Sequence, residues 1–179
     1  MNVSQDRFMT VAETSRLILR EFNAEDDQEL SPILASPQVM KFSLTGCLTV
    51  SQTQAKIDDF IASYRKHGFG KWAVILKSEK RLIGYCGIAI ELIAGQPETE
   101  LGYRLSEEYW GKGLATEAAQ AALQYGLDRL KLPYILAVVE PANYASIRVI
   151  EKLGMKYLKQ TYFQGLQVNV YHKLADKHR

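Results

Sequence analysis

The sequence is poor in the residues that build disulfide frameworks and metal sites. It contains only two cysteines, Cys47 and Cys86, and three histidines, His67, His172 and His178, in 179 residues. Two cysteines are too few for a disulfide framework, and neither the cysteines nor the histidines have metal-ligand spacing. We therefore expect a metal-free, cytoplasmic protein.

Long apolar stretches and an excess of one charge are also missing. No run approaches the roughly 18–20 consecutive apolar residues of a membrane span, and the polar N-terminus is unlike a signal peptide. The 22 basic and 20 acidic residues give a formal net charge of +2 without long runs, whereas nucleic-acid-binding proteins concentrate basic residues in a patch. We expect no membrane or nucleic-acid partner. The apolar content of 47% and the length predict one domain, residues 1–179, with its own core.

One stretch combines glycines, a lysine and the start of a helix. Tyr109–Glu117 (YWGKGLATE) follows Glu98–Leu105, which alternates like a strand. After it, apolar residues recur at helical spacing: Leu114, Ala118, Ala121, Ala122 and Tyr125. The first amides of a helix lack internal partners, and glycine lets a phosphate approach the backbone closely. The stretch therefore predicts a pyrophosphate-binding turn; a turn that merely connects strand and helix is the alternative.

This glycine turn does not match the two commonest phosphate-binding motifs. It is not a Walker A loop, because no Gly-Lys-Ser/Thr closes it after four intervening residues. It is not the dinucleotide fingerprint either, because the third glycine is missing. The motif alone thus leaves the nucleotide undetermined.

The remaining chain alternates between strand and helix patterns. Seven strands are predicted: Arg16–Phe22, Trp72–Lys77, Leu82–Glu91, Glu98–Leu105, Tyr134–Val139, Lys156–Phe163 and Leu166–Leu174. Four helices are predicted: one capped by Asn23 and bent or shortened by Pro32, one from a Ser51–Gln54 capping box to Gly68, one from the glycine turn to before Pro133, and Ser146–Leu153. Gly95-Gln96-Pro97 is predicted as a turn. This order indicates one α+β domain with a mixed sheet.

Several short motifs follow one another over nearly the whole chain. They are TSRLILR (14–20), GKWAV (70–74), LIGYCG (82–87), LGY (101–103), YWGKGLATE (109–117), NYAS (143–146) and EKLG (151–154). Together they resemble the GNAT superfamily of acetyl-CoA-dependent N-acetyltransferases. Trp110, Gly113 and Ala115 fill the first, fourth and sixth positions of its Gln/Arg-x-x-Gly-x-Gly/Ala loop. The tryptophan is typical of the RimJ/RimL-type subgroup, which acetylates ribosomal-protein N-termini.

The resemblance implies a single GNAT domain with a mixed, mostly antiparallel, twisted seven-stranded sheet flanked by four helices. It also implies acetyl-CoA as cosubstrate. Backbone groups of a splayed strand would pair with pantetheine; by position these belong to Tyr103, Arg104 and Leu105. Amides of the glycine turn would hold the pyrophosphate, with Lys112 adding charge at the rim; these residues are Gly111, Lys112, Gly113, Leu114, Ala115 and Thr116.

Asn143 and Ser146 match the family's second anchor for the pantetheine arm. Structural alternatives are a turn residue after proline for Asn143 and a helix N-cap for Ser146. Both alternatives are compatible with a ligand role, because a capping residue can make further hydrogen bonds.

The implied chemistry is aminolysis of a thioester. Ordinary pKa values of about 8 for an α-amino group and about 10.4 for lysine leave most of an amine charged at pH 7, so a base is needed. Glu100 in the central strand is the candidate base, and an ordinary solvent-facing position is the alternative. Ile150 occupies the position at which many family members have a tyrosine that acts as the general acid. Ser146 is the substitute acid, with Tyr103 and Tyr144 as further options.

The acceptor is left open by the sequence. Gln167 stands four residues before Tyr171, where the subgroup often has an aspartate, so that amine contact is not carried over. Phe42–Ser51 and the final hairpin are expected to shape the acceptor cleft. Two hypotheses remain: an N-acetyltransferase, monomeric or homodimeric, acting on a protein N-terminus or small-molecule amine, and a non-catalytic module that senses acetyl-CoA.

Overall fold

Eight strands form one mixed sheet in the computed structural model, which describes residues 9–176. They are β1 (Thr10–Glu13), β2 (Leu17–Arg20), β3 (Lys71–Leu76), β4 (Arg81–Ile93), β5 (Gln96–Leu105), β6 (Tyr134–Val139), β7 (Lys156–Phe163) and β8 (Leu166–Leu174). Their order is β1-β2-β3-β4-β5-β6-β8-β7. Among these described strands, only β5 and β6 pair in parallel. The mixed, mostly antiparallel sheet is confirmed.

The number of strands differs from the prediction of seven. The additional strand is β1, which pairs with β2 at the edge of the sheet. Its four residues, TVAE, are exposed or half-buried and show no alternation of buried and exposed positions. A strand this short and this exposed depends on pairing with its neighbour, so hydrophobic periodicity does not reveal it.

Within residues 9–176, four α-helices flank the sheet, as predicted. They are α1 (Asp27–Leu34), α2 (Val50–His67), α3 (Leu114–Gln124) and α4 (Tyr144–Lys152). Short 3₁₀ turns precede α1 and the glycine turn, and a π-helical turn, Tyr125–Arg129, continues α3. Pro32 lies inside α1, which ends two residues later.

Helix boundaries confirm one capping prediction and correct another. Asn23 caps the first helical segment, where its side chain accepts a hydrogen bond from the Glu25 amide at 2.7 Å. The capping box of α2 is Thr49–Gln52, not Ser51–Gln54: the Gln52 amide donates to Thr49 Oγ1 at 3.2 Å. Both pairs share one spacing, but α2 begins at Val50, so Ser51 is already within its first turn.

The turn before β5 is also shorter than predicted. Gln96 and Pro97 lie within β5, where Pro97 pairs with Leu92 of β4. The turn itself is Ala94-Gly95, and both residues have positive φ angles. A two-residue connection of this kind is typical of a tight hairpin. The pairing of β4 with β5 runs up to this turn without a register shift.

The two faces of the sheet carry different cores. Helices α3 and α4 pack on one face, which receives Trp72 of β3 and Leu101 of β5. Helices α1 and α2 pack on the other face, which receives Ala73 of β3. Because successive strand residues point to opposite faces, Glu100 lies on the α1–α2 face, next to Leu101 on the α3–α4 face.

Candidate active site

The sheet opens where β5 meets β6. The two strands share one register pair, Glu100 with Leu136. Leu101–Leu105 remain paired with β4, but in the described part of the chain their pairing with β6 does not continue. The edge of β5 therefore faces a gap at the residues predicted to contact pantetheine, Tyr103, Arg104 and Leu105.

Arg104 and Leu105 also make hydrogen bonds within the protein. The guanidinium of Arg104 donates to the Val39 carbonyl at 2.7 Å and to the Tyr85 hydroxyl at 3.2 Å. The Leu105 carbonyl accepts a hydrogen bond from Trp110 Nε1 at 2.9 Å. The Arg104 side chain thus ties β5 to the segment after α1, and Trp110 ties the glycine turn to the end of β5.

The glycine turn lies directly at the start of α3. Gly111 and Gly113 have φ angles of 72° and 76°, in the left-handed region that favours glycine. Gly113 is the N-cap residue of α3, and no side chain caps that helix end. A side chain at Gly111 would meet nothing within 4 Å, so the turn presents an open surface. Open amides at the positive end of a helix dipole favour an anion.

Lys112 and Arg16 lie beside this turn, and the charge of Arg16 is balanced by an ion pair with Glu117. Lys112 Nζ lies 5.4 Å from the centroid of the Tyr109 ring. Arg16 Nη1 donates to the Lys112 carbonyl at 2.9 Å. Arg16 was not predicted as a site residue, because it precedes β2 and the sequence gives no signal that β2 lies beside α3.

Asn143 and Ser146 lie at the start of α4, where Ser146 contacts Tyr103. Asn143 is the N-cap: its Oδ1 accepts a hydrogen bond from the Ser146 amide at 3.2 Å. The alternative of Ser146 as N-cap is therefore wrong, and α4 begins at Tyr144. The Tyr103 hydroxyl donates to the Ser146 carbonyl at 3.5 Å. The structure thus brings β5 and α4 together where a second anchor was expected.

The candidate acids differ in their surroundings. Burial is the main cause that raises the pKa of Tyr103, to about 12. Ser146 is half-buried, whereas Tyr144 is 70% exposed. Ile150 is 3% exposed and belongs to the core on the α3–α4 face. Its position is thus a packing position in this chain.

Glu100 is not solvent-facing, which corrects the alternative interpretation of this residue. Its side chain is only 13% exposed, and Lys71 Nζ, with its side chain 8% exposed, lies 2.7 Å from Glu100 Oε2. Lys71 opens β3 within an otherwise apolar stretch, KWAVIL. A lysine in such an apolar run is unusual, but the sequence alone gave no indication that this lysine contacts Glu100.

A groove of about 340 Å³ lies between α2 and β4, and of this pair Lys71 lines it whereas Glu100 does not. Its lining includes Lys56, Phe60, Ser63, His67 and Glu91, together with Lys71. The two segments expected to shape the acceptor cleft, 42–51 and the final hairpin, do not line it. Burial is the main cause that raises the pKa of Glu91, and the negative charge of Glu100 adds to this.

Residues 9–176 contain neither a metal-binding cluster nor a membrane-spanning helix. No three or more His, Cys, Asp and Glu side chains of this part of the chain are grouped so that they could hold a metal ion. No helix within it is long and apolar enough to cross a membrane.

An α+β domain that opens beside one parallel strand pair, with a glycine turn leading into a helix next to the opening, has the architecture of an acyltransferase. The chain belongs to the acetyltransferase (GNAT) domain family, whose model matches residues 16–156. It is 35% identical over 143 residues to an uncharacterized N-acetyltransferase, YnaD, of Bacillus subtilis (strain 168), covering 80% of this chain and 81% of that protein.

Solved structures share the fold. A GNAT-family acetyltransferase from Bacillus anthracis superposes with a TM-score of 0.77 at 29% identity, covering 92% of this chain and 98% of that one. RimL, a ribosomal L7/L12 alpha-N-protein acetyltransferase in complex with coenzyme A, superposes with a TM-score of 0.77 at 19% identity, covering 94% of this chain and 99% of that one. The second similarity establishes the fold alone.

Proposed function

We propose that this protein is an acetyl-CoA-dependent N-acetyltransferase that moves the acetyl group to a primary amine by direct attack. The observation that carries this proposal is the end of the β5–β6 pairing at Glu100, which leaves the edge of β5 beyond this residue without pairing to β6 among the described residues. A candidate base, an open strand edge and a helix start suited to an anion thus follow one another along the chain from β5 to α3.

The residues around the opening fit acetyl-CoA. The turn at Gly111 and Gly113 is open and carries the charge of Lys112, which suits a pyrophosphate, and Arg16 holds the Lys112 backbone in place. The edge of β5 offers backbone groups that suit the amides of pantetheine. We assign cofactor binding to Tyr103, Arg104, Leu105, Gly111, Lys112, Gly113, Leu114, Ala115, Thr116, Asn143 and Ser146. Acetyl-CoA, when bound, supplies a thioester whose acyl carbon is open to attack.

Glu100 and Ser146 are the proposed catalytic residues. Glu100 faces the α1–α2 side of the sheet, beside the groove, and accepts the proton of the acceptor ammonium. Ser146 lies on the α3–α4 side and assists the departure of the sulfur by donating a hydrogen bond to it. This division matches the chemistry, because the amine must lose a proton before attack whereas a thiolate leaves tolerably without one.

The groove beside Glu100 is the proposed entrance for the amine, which is a protein N-terminus or a small-molecule amine. The motif with Trp110 favours the RimJ/RimL-type subgroup within the family. We propose that the protein acts in the cytoplasm as a monomer or homodimer, without a nucleic-acid or membrane partner.

Thermal stabilisation by the cosubstrate tests the binding part of this function. Acetyl-CoA should raise the thermal midpoint in proportion to ligand excess, whereas NAD and ATP should not. Gly113→Asp, which adds a negative charge to the turn, should abolish this shift. Gly95→Asp is the matched control, since Gly95 also has a positive φ (78°) with nothing within 4 Å of its Cβ position. An unchanged shift in Gly113→Asp contradicts the pyrophosphate site.

Release of free CoA tests the transfer part. Wild-type protein should release thiol from acetyl-CoA with at least one member of a panel of peptide N-termini, polyamines and aminoglycosides. Binding of acetyl-CoA without thiol release from any member would favour the sensing module instead.

A further inference from the structure

Lys71 uses its whole hydrogen-bonding capacity around Glu100. Its Nζ donates to Glu100 Oε2 at 2.7 Å, to the Glu100 carbonyl at 3.2 Å and to the Gly87 carbonyl at 3.2 Å. An ammonium group has three hydrogens and no acceptor, so three bonds satisfy it completely. The lysine therefore reaches from β3 across β4 to both the side chain and the backbone of Glu100 on β5.

Burying such a pair is costly, because both charges leave water and their attraction repays this only with good geometry. Lysine is rarely buried in proteins unless it is paired. Replacing a buried ion pair by apolar residues of similar volume is often neutral or even stabilising. The pair thus needs a reason beyond stability.

The neighbouring backbone leaves room for this pair. A Cβ added at Gly102 would lie 2.6 Å from Lys71 Nζ and 3.1 Å from both carboxylate oxygens of Glu100. Gly102 does not have a positive φ angle that would call for glycine. Space for the pair is the physical reason for a glycine at this point of β5.

Other ionisable groups surround the pair. Glu91 of β4 and, along the groove on α2, Lys56, Asp59, Lys66 and His67 lie on the same side of the sheet. Cys86 and Tyr103 lie on the opposite face but are close enough to interact with the Glu100 charge. Cys86 and Tyr103 are held protonated by burial. Of these groups, Lys71 is the cation in direct contact with the Glu100 carboxylate.

We propose that Lys71 is a positioning residue that holds the Glu100 carboxylate in place by an ion pair and favours its charged form, so that this carboxylate can deprotonate the acceptor amine. This rests on the proposed N-acetyltransferase function. In the proton-transfer step, an ammonium acceptor and the Glu100 carboxylate become a neutral amine and a carboxylic acid, so charge and protons balance. Lys71 keeps its own proton and acts only through Glu100.

The pH profile of kcat/KM tests this role. Removing the adjacent cation makes a buried carboxylate harder to ionise. In Lys71→Met, the acidic limb of the profile should therefore move to higher pH by about one unit or more, and the loss of kcat/KM should be greatest on that limb and shrink toward pH 9. Stabilisation by acetyl-CoA should remain. Arg81→Met, which removes an exposed ion pair with Glu108, is the control and should keep the wild-type profile.

The double variant Lys71→Met with Glu100→Gln separates a role through Glu100 from an independent one. It should be no slower than Glu100→Gln alone, which should lose roughly 10²–10⁴-fold in kcat/KM. Full additivity of the two losses would overturn the inference. So would an equal loss at every pH in Lys71→Met.

A folding defect in Lys71→Met, seen by circular dichroism, would not end the test. Lys71→Gln retains a hydrogen-bond donor toward Glu100 but carries no charge. Its acidic limb should also move to higher pH, and an unmoved limb overturns the inference. A Glu100→Gln enzyme with wild-type activity would overturn the proposed base itself. An impaired Glu100→Gln together with an unmoved limb in the Lys71 variants would overturn Lys71 alone.

Discussion

Arg16 and Glu117 form an ion pair, with Nη2 2.6 Å from Oε2, although 101 residues separate them in the chain. The same carboxylate accepts hydrogen bonds from the Thr14 hydroxyl at 2.6 Å and from the Arg16 amide at 3.0 Å. Arg16 also donates a hydrogen bond to the Lys112 carbonyl. The connection between β1 and β2 thus contacts both the glycine turn and the first turn of α3, and it stabilises their relative position.

Acid should weaken this connection. Burial raises the pKa of Glu117, but hydrogen bonds from Thr14 and Arg16 and the charge of Arg16 outweigh it and lower the pKa from 4.5 to about 2. A carboxylate whose pKa is lowered by folding stabilises the folded state at pH values above its ordinary pKa of 4.5. This stabilisation is lost as the pH falls from 4.5 toward 2. The thermal midpoint of the wild type should fall more steeply over this interval than that of Glu117→Gln.

Circular dichroism melts across that pH interval make the comparison. Glu108→Gln is the control, because Glu108 is exposed in a 3.5 Å ion pair and should leave the wild-type slope unchanged. Equal slopes for wild type and Glu117→Gln would contradict the role of Glu117.

Gly102→Ala should disturb Glu100 without changing any charged residue. The new methyl group would lie 2.6 Å from Lys71 Nζ, and this flexible side chain can shift. We expect lower kcat/KM, an acidic limb moved to higher pH and retained binding of acetyl-CoA. Gly87→Ala is the contrast, since its Cβ would lie 2.2 Å from the Gly70 carbonyl oxygen, a backbone atom, and should mainly lower the thermal midpoint. A wild-type profile for Gly102→Ala would contradict this.

Single substitutions should separate the candidate acids. Burial raises the pKa of Tyr103 to about 12, and its hydroxyl is directed at the Ser146 carbonyl. Tyr103→Phe should therefore lower kcat less than Ser146→Ala, and Ser146→Ala less than Glu100→Gln. Tyr144→Phe serves as the exposed control. Steady-state kcat, with KM for acetyl-CoA measured separately, makes the comparison; a larger loss for Tyr103→Phe than for Ser146→Ala would make Tyr103 the acid.

The two cysteines should differ sharply in reactivity. Cys47 is exposed, whereas Cys86 is buried in β4 and burial raises its pKa to about 12. Because the thiolate is the reactive form, Ellman's reagent should titrate one thiol per native chain and a second only in denaturant. Two rapidly reacting thiols in the native protein would show that the core around β4 opens readily.

Most of the element order could be predicted from local patterns. Tyr134–Val139, Lys156–Phe163 and Leu166–Leu174 have the predicted bounds, because each is a clear strand pattern between turn residues. Prediction failed where a local pattern occurred twice, at Thr49–Gln52 and Ser51–Gln54, since only the course of the preceding chain decides which pair begins the helix.

The sequence by itself determined the glycine turn, the helix it opens and the succession of strands, because these depend on residues near one another in the chain. Only the tertiary structure decided that Lys71 meets Glu100, 29 residues away, and that Arg16 meets Glu117. Such contacts depend on strand register and on which helix covers which face of the sheet. Since a shift of one residue turns every strand side chain to the other face, no local pattern contains this information.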